Sequence, residues 1–149
     1  MDAVKIVNKI NEEHGTIKNV YFLACGGSLV DLYPGYYFVR AESAVMDAQW
    51  IPAREFALTP PKKLGKDSLL IICSHSGKTK ECLEAAKTGM DAGAAVVTMT
   101  HAPGSPCDTD KWISVVYDWA PGVKEAEKPQ GIVLRILNEL MKVQEPGYV

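Results

Sequence analysis

Membrane-spanning length is the first thing this sequence lacks. No apolar run approaches the roughly 20 residues that cross a bilayer. The N-terminus, with Asp2, Lys5, Lys9, Glu12 and Glu13, is amphipathic and does not read as a signal peptide. A cytoplasmic location is therefore expected, with no membrane partner. Basic blocks are missing too. The formal net charge is −2, and nothing suggests a nucleic-acid surface. The four cysteines, Cys25, Cys73, Cys82 and Cys107, form no C-x-x-C pair, so zinc and dithiol chemistry have no support. They read as small buried thiols. His14, His75 and His101 lack metal-ligand spacing. No metal or cofactor is expected. The chain also lacks internal repeats, linkers and low-complexity stretches.

What is present suits one domain over residues 1–149. The composition is 47% hydrophobic and 23% charged, that of an ordinary globule with one core. Residues 2–13 place Val4, Ile6, Val7 and Ile10 near one helical stripe, with Gly15 as a stop. Residues 19–25 are apolar without alternation, the pattern of a parallel strand covered on both faces. A helix is expected over 29–42, bent or broken by Pro34 and packed by Tyr33, Tyr36, Tyr37 and Phe38. A short strand is expected over 44–49 and a short helix over 52–58 carrying Arg54 and Glu55, the latter a solvated charge or one recruited by a site near the domain edge. A central strand runs to Cys73. Residues 79–92 form a helix with one buried face, and Gly93 caps it. A strand over 94–100, a loop over 101–110 with one helical turn, a strand over 112–117 and an irregular stretch over 118–128 follow. The last helix starts near Pro129, with Ile132, Val133, Ile136, Leu137, Leu140 and Met141 in one stripe. Strands alternating with helices imply an α/β domain with a mostly parallel sheet.

The chain is organised around Ser74-His75-Ser76-Gly77-Lys78-Thr79. This stretch follows an apolar run and precedes a helix. A helix start offers free N–H groups and a positive dipole end. Ser74, Ser76 and Thr79 add hydroxyl donors, and Gly77 permits a tight turn. Two readings compete: one hydroxyl as an ordinary N-cap, or the set as a phosphate cradle. Capping needs only one hydroxyl. Gly77-Lys78-Thr79 imitates the end of a nucleotide P-loop, but that motif needs glycine at position 72, which is Ile72. Gly26-Gly27-Ser28 repeats the small-then-hydroxyl pattern after the first strand, without the dinucleotide fingerprint. Ligands of such sheets bind outside the carboxyl ends of strands. Both turns lie there, which favours a shared anion pocket.

Residues 24–28 and 74–79, the latter followed by Glu81, resemble the two signature turns of SIS (sugar isomerase) domains. Stretches 21–28 with Tyr33-Pro34, Glu55-Phe56, Pro60-Pro61, Leu64-Gly65 and Glu127-Lys128 resemble the first half of fructosamine-6-phosphate deglycases. The resemblance covers nearly the whole chain. It implies a three-layer, five-stranded flavodoxin-like sheet with helices on both faces and a bound phosphosugar. It places Gly27, Ser28, Ser74, His75, Ser76, Gly77 and Thr79 at the substrate, with Glu127 approaching the sugar or standing as a surface carboxylate. Lys78 is expected to face solvent. In the deglycases two such domains occur in tandem, and the base and acid belong to the second. The chain is thus expected to be the first of a tandem pair or to assemble as a homodimer. No catalytic residue is assigned within it. Half of an aldose–ketose isomerase, a non-catalytic sugar-phosphate sensor and a pairing domain without ligand are the alternatives. The lack of a DNA-binding segment before residue 17 speaks against a complete regulator.

Overall fold

The computed structural model describes residues 1–148. The order of elements is α1 (Ala3–His14), β1 (Asn19–Ala24), α2 (Gly27–Glu42), β2 (Asp47–Pro52), α3 (Ala53–Leu58), β3 (Ser68–Cys73), α4 (Lys80–Asp91), β4 (Ala95–Thr100), β5 (Ile113–Val116) and α5 (Pro129–Gln144). The strands form one sheet in the order β2-β1-β3-β4-β5, and every neighbouring pair is parallel. Strand alternation sorts side chains between two helical layers. Phe22, Ala24, Leu69, Ile71, Cys73, Val97 and Met99 share a core with α1, α2 and α5. Tyr21, Leu23, Leu70, Ile72 and Val96 pack instead on Phe56 of α3 and on Cys82, Ala85 and Ala86 of α4. All residues of β3 and β4 are buried, while the outer strand β2 is partly exposed. This is the expected three-layer α/β fold.

Several local expectations shift. The second strand starts at Asp47 rather than at residue 44. The Ser43 hydroxyl accepts the Met46 N–H at 2.9 Å and donates to Glu145, 2.5 Å away. Glu145 also accepts the Ala44 N–H at 2.8 Å. Residues 43–46 are thereby held as a turn on the end of α5. Pro34 does not break α2, which runs through it. The carbonyl that loses its helical partner belongs to Val30, on the exposed face, where water can serve it. Tyr36 and Phe38 are partly buried, whereas Tyr33 and Tyr37 are exposed. On α1 the buried line is Ala3, Val7 and Ile10, and Val4 faces outward. Residues 101–112 contain turns but no helical turn. The stretch 118–128 carries one 3-10 turn, Glu125–Glu127. The six apolar residues assigned to α5 are all buried. Among the described residues no helix is long and apolar enough to cross a membrane, and no group of three metal-ligating side chains occurs.

Gly35 sets how closely α2 approaches α5. A Cβ there would overlap Val133 Cγ1 and stand 3.0 Å from Phe22 Cε1. Gly35→Ala gains helix propensity of about 1 kcal/mol but overpacks a full core, at about 1–3 kcal/mol. The expected result is a lower midpoint in urea unfolding with an unchanged m-value. A raised midpoint would show that α5 yields.

Candidate functional site

The carboxyl ends of β1 and β3 lie side by side at the centre of the sheet, with Ala24 paired to Cys73. From β1 the chain crosses to β2 on one flank. From β3 it crosses to β4 on the other. The two connections diverge, which opens a crevice at this edge. The 26–28 and 74–79 segments both sit at it.

The 74–79 turn is built from its own hydroxyls. The Gly77 N–H meets Ser74 Oγ at 3.1 Å and the Ser74 carbonyl at 3.1 Å. Ser74 Oγ and Thr79 Oγ1 share a hydrogen bond of 2.8 Å. Ser76 Oγ accepts the Lys78 N–H at 3.3 Å. Gly77 has φ +71°, a left-handed conformation, and a Cβ on it would overlap the Ser105 hydroxyl and stand 2.7 Å from Thr100 Oγ1. The Gly77 carbonyl holds the Cys107 N–H at 2.8 Å. The turn is therefore locked against the loop that joins β4 to β5.

The hydroxyls differ in placement. Ser74 is 2% exposed and serves the turn itself, while Ser76 is exposed and Thr79 half-buried. None caps α4: Thr79 stands at the N-cap without a side-chain cap bond. The first-turn amides of α4 thus remain open for an outside acceptor. Proton counting leaves donors as well. Ser74 and Thr79 own two O–H protons and use one between them. Ser76 only accepts in its bond, so its proton is free. Lys78 is exposed, as expected.

Ser28 occupies the first turn of α2, and its hydroxyl borders the Cys73 thiol, as does the Tyr117 hydroxyl. Burial pushes that thiol up to about 12, with Asp31 adding to the shift and the two hydroxyls opposing it. Gly26, not Gly27, takes the positive φ, at +57°, and Gly27 opens α2 with empty space beside it. His75 is exposed, with Nδ1 2.8 Å from the Tyr117 hydroxyl. Its carbonyl accepts Thr100 Oγ1 and the His101 N–H, each at 3.2 Å. Glu127 lies apart from the turn, on the 3-10 segment, paired with Arg135 at 3.1 Å. With Tyr117 it lines a cleft of about 550 Å³. Glu55 is exposed.

Tyr117, Trp119, His101 and Asp31 are the neighbours that sequence reasoning missed. His101, Tyr117 and Trp119 follow the carboxyl ends of β4 and β5, where the rule applied to the two hydroxyl turns would have found them.

Cys73 is protonated and enclosed, while Cys25 is half-buried. Alkylation of the folded chain at pH 8 should spare Cys73 and label Cys25 first, because only an accessible thiolate reacts. Mass mapping checks this. Rapid labelling of Cys73 would mean the crevice floor opens. Ser74→Ala strands the Gly77 N–H in a buried turn and should cost about 1–3 kcal/mol in urea unfolding. No loss would show that the turn is held from elsewhere.

No protein-family model matches the chain. It is 35% identical over 130 residues to fructosamine deglycase FrlB of Bacillus subtilis (strain 168), covering 87% of this chain and 40% of that protein. Glutamine–fructose-6-phosphate aminotransferase [isomerizing] of Clostridium tetani (strain Massachusetts / E88) is 29% identical over 109 residues, 73% of this chain and 17% of that one. The fold superposes with a TM-score of 0.89 on a proposed phosphosugar isomerase from Salmonella typhimurium LT2, 32% identical, covering 96% of this chain and 43% of the other. The chain spans less than half the length of these relatives. A 2-1-3-4-5 parallel sheet with hydroxyl turns at its switch point, joined to these likenesses, leads to one conclusion: the chain belongs to the SIS (sugar isomerase) domain family.

Proposed function

We propose that the chain is the phosphosugar-binding SIS unit of a fructosamine-6-phosphate deglycase. The observation that carries this reading is the uncapped start of α4, framed by hydroxyls whose protons are not all spent. A phosphate seated there would take first-turn amides of α4, Ser76 Oγ, one proton of the Ser74–Thr79 pair and Ser28 from the facing turn. Gly77 lets the backbone come close, Gly27 leaves the facing turn open, and His75 borders the phosphate. Each hydrogen bond to a charged group contributes about 1.5–3 kcal/mol. One would be lost against association costs of several kcal/mol; four or five together would not.

The 35% identity to a fructosamine deglycase supports the choice of branch. The complete reaction takes a fructosamine 6-phosphate and water to glucose 6-phosphate and a free amine. It needs a base for the proton beside the carbonyl or imine carbon and an acid for the departing amine. This chain's task is to hold and orient the phosphate end. The base and acid are assigned to a second SIS unit, in tandem or in a partner copy. Glu127 would have to leave Arg135 to meet a sugar. That exposed pair is worth about 0–1 kcal/mol, so the exchange is inexpensive. The reading needs no cofactor and places the chain in the cytoplasm.

A melting scan with glucose 6-phosphate, fructose 6-phosphate and inorganic phosphate at millimolar concentration tests the site. Upward shifts are expected with each ligand. Ser76→Ala should weaken binding by roughly tenfold or more. Absence of any shift in the wild-type chain would overturn the reading. An unchanged affinity in Ser76→Ala would move the phosphate elsewhere.

A further inference from the structure

Four flat rings cluster at the hydroxyl turn, and phosphate binding gives a task only to His75 among them. The imidazoles of His75 and His101 stack at 5.0 Å with 12° between their planes. The Trp119 indole meets His75 edge-on at 5.0 Å. Tyr117 stands behind, 5.8 Å from His75 and 6.0 Å from both His101 and Trp119. Tyr117 is 4% exposed and anchors the group. Its hydroxyl bonds His75 Nδ1, and its carbonyl lies 3.2 Å from His101 Nδ1. A carbonyl only accepts, so His101 Nδ1 carries a proton. In the neutral ring Nε2 is then an acceptor. Both histidines are thus held by one residue of the strand end.

Trp119 differs from the other three. It is 50% exposed although Tyr117, two residues before it, is buried. A tryptophan brings about 150–250 Å² of surface to a contact, so on the order of 100 Å² of indole is left in water beside the turn. The His75 and Tyr117 rings pack against it, which lowers the ordering entropy still to be lost on binding. Asp31 also belongs to this neighbourhood. Burial raises its carboxyl above the usual range, and His75 partly opposes that shift. His75 is thus the shared neighbour of the hydroxyl turn, of Asp31 and of Trp119. The assembly offers an aromatic face next to hydrogen-bonding groups. That is the surface a sugar fits, since its C–H faces are apolar and its edges carry hydroxyls.

We propose that Trp119, braced by the His75–His101 stack, takes the carbon skeleton of the ligand once its phosphate lies in the 74–79 turn, and so selects phosphorylated sugars over bare phosphate. This rests on the phosphosugar reading above. Trp119 acts as a specificity residue, because it covers the part of the ligand that inorganic phosphate lacks. His101 positions His75 and through it the indole.

The test is binding of inorganic phosphate, glucose 6-phosphate and fructose 6-phosphate to the full chain and to its Trp119→Ala and Trp119→Phe variants, by calorimetry and by displacement with phosphate. Trp119→Ala should weaken the sugar phosphates by about tenfold, the surface it removes being large, and leave inorganic phosphate within about twofold. Trp119→Phe keeps a flat ring and should retain most of the preference. Equal losses for phosphate and sugar phosphate, or no loss for either, would overturn the assignment of Trp119 while the phosphosugar reading stands. A wild-type chain that binds none of the three ligands would overturn both.

Discussion

The site depends on how the chain leaves the sheet at residue 77. Gly77 turns left-handed, gives its N–H to Ser74 and its carbonyl to Cys107, and leaves the space of its missing Cβ to the Ser105 hydroxyl. Two segments far apart in sequence interlock at that point. One is the turn that follows β3, and the other is the loop that joins β4 to β5. A side chain at 77 would part them and also force φ into a region that L residues rarely adopt. The conformation of the turn, the docking of the loop and the position of His75 therefore rest on one constraint.

That constraint acts on a rigid base. β3 and β4 are fully buried, and both faces of the sheet are covered by helices. Close packing there gives the strand ends little freedom. The open amides of α4 are consequently held in place before any ligand arrives, and so are the hydroxyls around them. Pre-organised donors cost no rearrangement on binding, which is how small polar groups can hold a hydrated anion.

Much of the fold was legible because it is written in local pattern. The apolar runs of β1 and β3 and the valine-rich β4 follow the pattern of a covered parallel sheet, and the stripe from Ile132 to Met141 follows that of a helix with one buried face. Misplaced boundaries trace to distant contacts. Residues 44–46 read as the start of a strand, but Glu145, about a hundred positions away, claims the Ala44 N–H and the Ser43 hydroxyl. Pro34 looks like a break, but the carbonyl it frees faces solvent. In the site, the chain announces the hydroxyls and the glycine. It does not announce that Ser74 turns inward to build the loop while Ser76 stays out. The three hydroxyls are alike as letters and differ only in which way the folded backbone aims them.

By itself the sequence determined the alternation of strands and helices, the parallel sheet and the two hydroxyl turns at its carboxyl edge. Each of these follows from short-range periodicity and turn chemistry. The tertiary structure alone decided that β1 and β3 lie side by side with diverging connections. It also decided that Tyr117 and Trp119, from the end of β5, reach His75 and His101 from two other strand ends. Strand order is a matter of global packing, and no local pattern encodes which strand ends become neighbours.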